Sequence, residues 1–329
     1  MRIGWALNVT LFERAAKFAS SDATAWVIAA DQQLRRPSGR LADAVSRLAV
    51  DHVNVIGPNE VRRIQAPDTP PAGIFGAGLF RRGRDDSYVP ALFVMQELVG
   101  VRPTNSIDVV RQPSTAPAVS LLGSIGLEPP PGGVVVSMPV PHELATKIHC
   151  DMFGTLGVPV WLADARQGVL TAGHVAQAIG AQPTVNGNVI GVVVHSNHRR
   201  LHQFPDSSAD VAAIALNEMG LKLEQVPPFH AVGSAEKLHK AWAFNCSGTG
   251  SNGELVRSVH QTFAVDEMGQ WEDVATVDAA ISIDGDSGAA VIDDQGNLIG
   301  QIVGGHPMAY SLVQNIDLLL GDSDARVRQ

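Results

Sequence analysis

The chain has 329 residues, of which 45% are hydrophobic and 17% charged, and a formal net charge of −9. That length suits one large domain or two modest ones, with enough apolar residues for a sizeable core. The acidic balance argues against general nucleic-acid binding, and no run approaches the roughly 18 apolar residues of a membrane-spanning helix.

Residues 1–7 are apolar, but Glu13, Arg14 and Lys17 arrive before an adequate signal-peptide core. Two cysteines, Cys150 and Cys246, are too few for a disulfide framework. Both readings predict a cytoplasmic protein. Residues 10–36 and 41–50 carry helix-compatible apolar spacing. A glycine-punctuated apolar run at 73–80, a polar turn at 81–86 and a second run at 91–95 predict a β-hairpin, with a third strand at 107–110. Pro113, Pro117 and Pro129 to Pro131, followed by Gly132 and Gly133, mark a linker. The expected organisation is therefore an α/β region over 1–116, a Pro/Gly-rich linker over 117–133 and a main domain over 134–329.

The main domain reads as short strands between turns. Candidates lie at 152–162, 168–171, 189–194 and 210–216. After Pro227-Pro228 come 240–246, 254–259, 274–281, 289–292 and 298–303, then a terminal helix at 315–320. With 32 glycines and 20 prolines in the chain, this predicts a mainly β fold.

Three short segments carry chemistry. They are Thr171-Ala172-Gly173-His174-Val175, Ala209-Asp210-Val211 and Asp284-Gly285-Asp286-Ser287-Gly288. A serine hydroxyl is a poor nucleophile near neutral pH unless an imidazole takes its proton, and a buried carboxylate can fix that imidazole's tautomer. Each segment also has a plainer reading: a Gly-rich hairpin turn for Ser287, a core histidine for His174, a strand-entry cap for Asp210. Asp206 is an alternative carboxylate, but it sits among turn formers, whereas Asp210 directly precedes an apolar run. An α/β-hydrolase elbow is excluded, because Ala289 occupies its last glycine position and its histidine should follow the serine.

In order and composition the three segments resemble the signatures of chymotrypsin/trypsin-like serine proteases. The resemblance implies a chymotrypsin-like double β-barrel and a triad of His174, Asp210 and Ser287, with the N–H groups of Gly285 and Ser287 as oxyanion hole. It implies that Ile281 and Ser282 form the base of the specificity pocket, and that Val303, Gly304 and Gly305 line the substrate cleft. An apolar Ile281 at that base predicts an uncharged residue before the cleaved bond. Val303 stands where the family usually has a serine that bonds to the triad aspartate. The implied partner is a protein or peptide substrate, with no cofactor, metal, nucleic acid or membrane, and a homo-oligomer is compatible. The glycine-punctuated hairpin and the Asp108-Val109-Val110 strand ahead of the protease also resemble bacterial trypsin-like proteins related to the plant narrow-leaf protein.

Two readings compete with an active protease: a silent protease fold used as an interaction scaffold, and a latent enzyme switched by a partner or by assembly. His195, His198 and His202 form a cluster of zinc-ligand type. With Arg199 and Arg200 beside them, they read more simply as a solvated loop. No Ile/Val-Val-Gly-Gly start precedes the first barrel, so a new N-terminus is not expected to reach Asp286. Local donors are expected to satisfy that carboxylate instead.

Overall fold

The computed structural model describes residues 10–34, 73–82, 87–99, 104–110, 129–142, 146–148, 151–198, 209–233, 239–244, 253–265, 269–278 and 281–328. Cys150, Cys246, Arg199, Arg200, His202 and Asp206 lie outside them, as do the helix expected at 41–50 and residues 117–128 of the expected linker.

Helix α1 (Leu11–Ala16) opens on a capping box, in which Thr10 Oγ1 accepts from the Glu13 N–H and the Glu13 carboxylate accepts from the Thr10 N–H at 2.7 Å. The next two orphan donors, the N–H groups of Leu11 and Phe12, reach the Asp273 carboxylate at 2.8 and 3.4 Å. Helix α2 (Ser21–Leu34) follows. The expected hairpin forms β1 (Ile74–Arg81) and β2 (Tyr88–Met95), followed by β3 (Asp108–Val110), β4 (Val134–Met138), β5 (Thr146–Ile148) and β6 (Asp151–Phe153). Next come β7 (Pro159–Trp161), β8 (Gln167–Thr171), β9 (Thr184–Val185), β10 (Asn188–Val189), β11 (Gly191–Asn197), β12 (Val211–Leu216) and helix α3 (Glu218–Leu223). The rest comprises β13 (Ala231–Val232), β14 (Lys240–Ala243), β15 (Glu254–Val265), β16 (Gly269–Asp278), β17 (Ala290–Asp293), β18 (Asn297–His306), β19 (Tyr310–Asn315), helix α4 (Ile316–Asp322) and β20 (Arg326–Val327). The strand expected at 152–162 is in fact two, β6 and β7. Between them the Thr155 N–H bonds to the carbonyl of Ser287 and the Gly157 N–H to that of Leu170, rather than to one continuous partner strand.

The fold is mainly β. Among the described residues, the first unit is a sheet in the order β11-β12-β8-β7-β20. In the second unit, β14-β17-β18-β19-β16-β15 closes on itself, because β14 pairs with both β17 and β15. At 12 residues, β15 is longer than the barrel needs. Its start pairs with β14, and farther along β1 takes the free edge, with Gly78 opposite His260 and Leu79 opposite Val259. Strands β2, β4 and β3 extend the sheet beyond β1. A strand edge with unpaired N–H and C=O groups is thereby covered.

Packing follows the pairing. Leu11, Phe12, Val27 and Leu34 of the two N-terminal helices belong to one apolar cluster with Val256, Val277, Ile302 and Val313 of the barrel. A second cluster, on Phe75, Phe93, Phe263, Trp271, Val303 and Tyr310, again joins the hairpin to the barrel. His260 of β15 is buried, its Nε2 between Ser258 Oγ (3.1 Å) and Thr276 Oγ1 (2.9 Å) and its ring against Phe93 and Phe263. Burial lowers its pKa to about 3. No helix among the described residues is long and apolar enough to cross a membrane.

Candidate active site

Strands β8 and β12 are antiparallel neighbours, with Ala212 opposite Thr171. His174 lies just past the end of β8 and Asp210 just before the start of β12, so the pairing brings them together at one end of the sheet. Asp210 Oδ1 accepts the His174 N–H at 2.9 Å, and Oδ2 lies 2.6 Å from His174 Nδ1. A carboxylate can only accept, so this contact places the imidazole proton on Nδ1 and leaves Nε2 as the basic nitrogen. Both side chains are buried.

Three further groups hold Asp210. The Trp271 indole N–H donates to Oδ2 at 3.3 Å, His198 Nδ1 lies 3.5 Å from Oδ1, and the Asp210 N–H donates to Gln314 Oε1 at 2.8 Å. Burial by itself would raise the Asp210 pKa, but His174 and His198 outweigh it and hold the carboxyl well below the usual range. With Val303 unable to donate a side-chain hydrogen bond, Trp271 and His198 supply the additional contacts to this carboxylate.

Ser287 lies on the turn between Ile281 and β17. Asp286 Oδ2 accepts the Ile283 N–H at 2.8 Å, and the Asp286 N–H returns to the Ile283 carbonyl at 3.0 Å, so this buried carboxylate has a local donor. The backbone N–H groups of Asp286 and Ala289 bond within the turn and that of Gly288 bonds to the Ile302 carbonyl of β18, and the N–H groups of Gly285 and Ser287 take no part in these bonds. Thr155 braces the turn, its N–H on the Ser287 carbonyl (2.8 Å) and its hydroxyl on the Gly285 carbonyl (2.9 Å). Gly288 has φ +95°, and a Cβ there would lie 2.4 Å from Thr171 Oγ1 and 2.9 Å from the Ala172 nitrogen. Only glycine lets the serine turn approach the histidine segment this closely.

Ser287 Oγ and His174 Nε2 are both buried, and among the described residues neither has a hydrogen-bond partner. The two halves of the site are joined through other groups. From β18, Gln301 Nε2 donates to the carbonyls of Thr171 (3.2 Å) and Asp210 (3.0 Å). From β19, Gln314 holds the Asp210 N–H while its own amide donates to the Glu272 carbonyl at 2.9 Å. Ile281 and Ser282 are buried, with Ser282 Oγ 2.6 Å from Ser311 Oγ. Val303 packs with Trp271 and Tyr310, and Gly304 and Gly305 follow on the same strand.

Sequence reasoning missed Trp271, Gln301, Gln314 and Thr155, whose roles depend on contacts between distant segments. His198 lay in the expected solvated loop but turns inward, its ring 5.6 Å from that of His174, while His195 pairs instead with Asp322 at 2.9 Å. His174, His198 and Asp210 offer three ligand atoms within 4.8 Å of one another. An ion there would have to displace the 2.6 Å contact between His174 and Asp210.

No family model matches the chain, and no curated protein matches it. Among solved structures it is similar to the Nocardiopsis protease NAPase, with 18% identity over 57% of this chain and 97% of that one at a TM-score of 0.42. It is similar also to a glutamic-acid-specific serine protease that uses a histidine triad in substrate binding, with 16% identity, the same coverages and a TM-score of 0.42. A third is the Rv3671c protease in its inactive form, with 18% identity over 50% of this chain and 85% of that one at a TM-score of 0.32. None of the three bears on the narrower resemblance to the narrow-leaf group.

Proposed function

We propose that the chain is a serine endopeptidase with His174, Asp210 and Ser287 as its triad. The observation that carries this reading is the buried His174–Asp210 couple, which fixes the imidazole tautomer that a general base requires. Ser287 Oγ attacks the scissile carbonyl while His174 Nε2 takes its proton. The peptide C–N bond breaks as Nε2 returns that proton to the leaving amine, and an acyl-enzyme ester forms on Ser287. Water, deprotonated by the same nitrogen, then hydrolyses the ester. The N–H groups of Gly285 and Ser287 are the donors for the tetrahedral oxyanion, an interaction worth about 2.7–4 kcal/mol per donor in enzymes of this chemistry.

The buried floor at Ile281 favours an apolar or small residue before the cleaved bond, because a cation left there without a partner would carry a large desolvation penalty. The test is a peptide library digested by the intact protein and by Ser287→Ala. Cleavage after uncharged residues by the intact protein alone is expected. Equal cleavage by purified Ser287→Ala would refute the triad, and a preference for Arg or Lys would refute the pocket.

A resting, latent state is the second reading supported by an observation. Ser287 Oγ and His174 Nε2 are sealed from solvent without bonding to each other. Catalytic hydrogen bonds often tighten only when substrate binds, so this state is compatible with the same triad.

A further inference from the structure

Strand β18 does not end with a free edge at Gly305. The His142 N–H donates to the Gly305 carbonyl at 2.6 Å, and the Gly305 N–H donates to the His142 carbonyl at 2.9 Å. This is an antiparallel bridge, formed by a segment that is otherwise outside the named strands. The segment is anchored on both sides. Upstream, the Tyr310 hydroxyl donates to the Pro139 carbonyl at 2.6 Å, and Pro139 and Pro141 are buried. At its end the exposed His142 has its ring 5.7 Å from that of His306.

The floor beneath it is shaped for a backbone. The His142 carbonyl oxygen lies 2.8 Å from where a Cβ on residue 304 would stand, so any side chain in place of Gly304 would press on the segment. By Thr155 the same chain has reached the nucleophile, its N–H on the Ser287 carbonyl. His142 thus lies on the strand that the protease reading assigns to substrate, and Thr155 lies at the serine turn. An extended peptide that adds itself to a sheet edge gains affinity from exactly such paired main-chain bonds.

We propose that residues 139–142 are a resident strand, held in the position on β18 that an extended peptide substrate takes, and that substrate must displace them to bind. The proposal rests on the protease reading for the identity of the groove. A tethered occupant is present at high effective concentration, so it lowers the apparent affinity of an outside peptide in proportion to the fraction of molecules whose groove is open. The same arrangement describes the preferred partner: an extended peptide that, like Pro139-Val140-Pro141-His142, carries prolines ahead of a residue whose N–H and C=O pair antiparallel with Gly305.

The test uses the full chain carrying Ser287→Ala, so that nothing is cleaved, and a fluorescein-labelled octapeptide with the sequence of residues 138–145. Kd is measured by anisotropy with and without His142→Pro, which deletes the N–H bonded to Gly305. The expected result is an approximately tenfold fall in Kd, the equivalent of one lost backbone hydrogen bond. Tyr310→Phe, which releases Pro139 with little change of shape, should lower Kd in the same direction and decides the matter where the proline variant does not fold. A Kd unchanged or raised would overturn the resident strand. This binding measurement does not involve turnover, whereas the protease reading fails separately, through hydrolysis that does not depend on Ser287.

Discussion

The two β units deliver the two halves of the site in different states of readiness. The first unit presents His174 and Asp210 already joined by contacts of 2.6 and 2.9 Å, at the adjacent ends of paired strands. The second presents Ser287 on a turn braced by Thr155, yet among the described residues its hydroxyl has no partner. Orientation of the His174 ring is thus fixed by folding, since β8 and β12 cannot pair without bringing those residues together. Alignment of Ser287 with His174 is not, since among the described residues no hydrogen bond joins Ser287 Oγ to His174 Nε2. The second unit is also the one that the N-terminal residues build into, through β1 on the edge of β15.

That attachment gives the largest expected effect. Removing residues 1–133 uncovers the β15 edge and the apolar faces of Val256, Val259 and Phe263. Large apolar side chains contribute about 1.5–3 kcal/mol each, against a total stability of about 5–15 kcal/mol. The trimmed protein should show no cooperative thermal transition by circular dichroism. A sharp transition near that of the intact chain would separate the N-terminal region from the barrel and break the comparison.

Within the first unit, Asp210→Asn should keep the fold but favour the wrong tautomer of His174, lowering kcat by about 10⁴. A loss of less than about tenfold would mean that the preassembled couple is not what activates the serine.

The barrel should also respond to acid. His260 has a folded pKa lowered to about 3 from an ordinary value of 6.5. The unfolded chain therefore takes up a proton that the folded chain refuses, and the stability present above pH 6.5 is lost as pH falls toward 3. The slope contributed is at most about 1.4 kcal/mol per pH unit. Buried Asp273 in the same unit, its pKa raised to about 7, contributes in the opposite sense over this range, so the His260 part is read as the difference between urea melts of the intact chain and His260→Phe at pH 7, 5.5 and 4. A difference between the two proteins that does not change with pH would remove His260 as a source of acid sensitivity.

The smallest effect probes the tie between the halves. Trp271→Phe keeps the ring but removes the donor to Asp210, and should lower kcat about three- to tenfold, given that hydrogen bonds to charged groups contribute about 1.5–3 kcal/mol at good geometry and less at longer range. A full-strength enzyme would show that His198 alone suffices.

Much of the strand pattern was legible because turn residues and apolar runs are local signals. The hairpin at β1 and β2, the strand after Asp210 and the Asp293–Asn297 turn all follow from neighbouring residues. The attachment of β1 to β15 was not legible, since nothing local tells an edge strand which distant edge it will meet. The same limit applies to the site. The three segments could be found by their order and composition, whereas Trp271, Gln301 and Gln314 touch Asp210 only because β16, β18 and β19 fold beside it. His198 was misread for a different reason. Its histidine- and arginine-rich neighbourhood looks solvated, yet it lies at the end of β11, within reach of the buried carboxylate.

The central claim is that Ser287 is a nucleophile activated by His174. It is tested most directly by incubating the intact protein with a fluorophosphonate probe and locating the adduct by mass spectrometry, alongside His174→Ala and a peptide that competes for β18. The account predicts a single adduct on Ser287, abolished in His174→Ala. An adduct at another residue, or labelling of Ser287 that persists without His174, would contradict it.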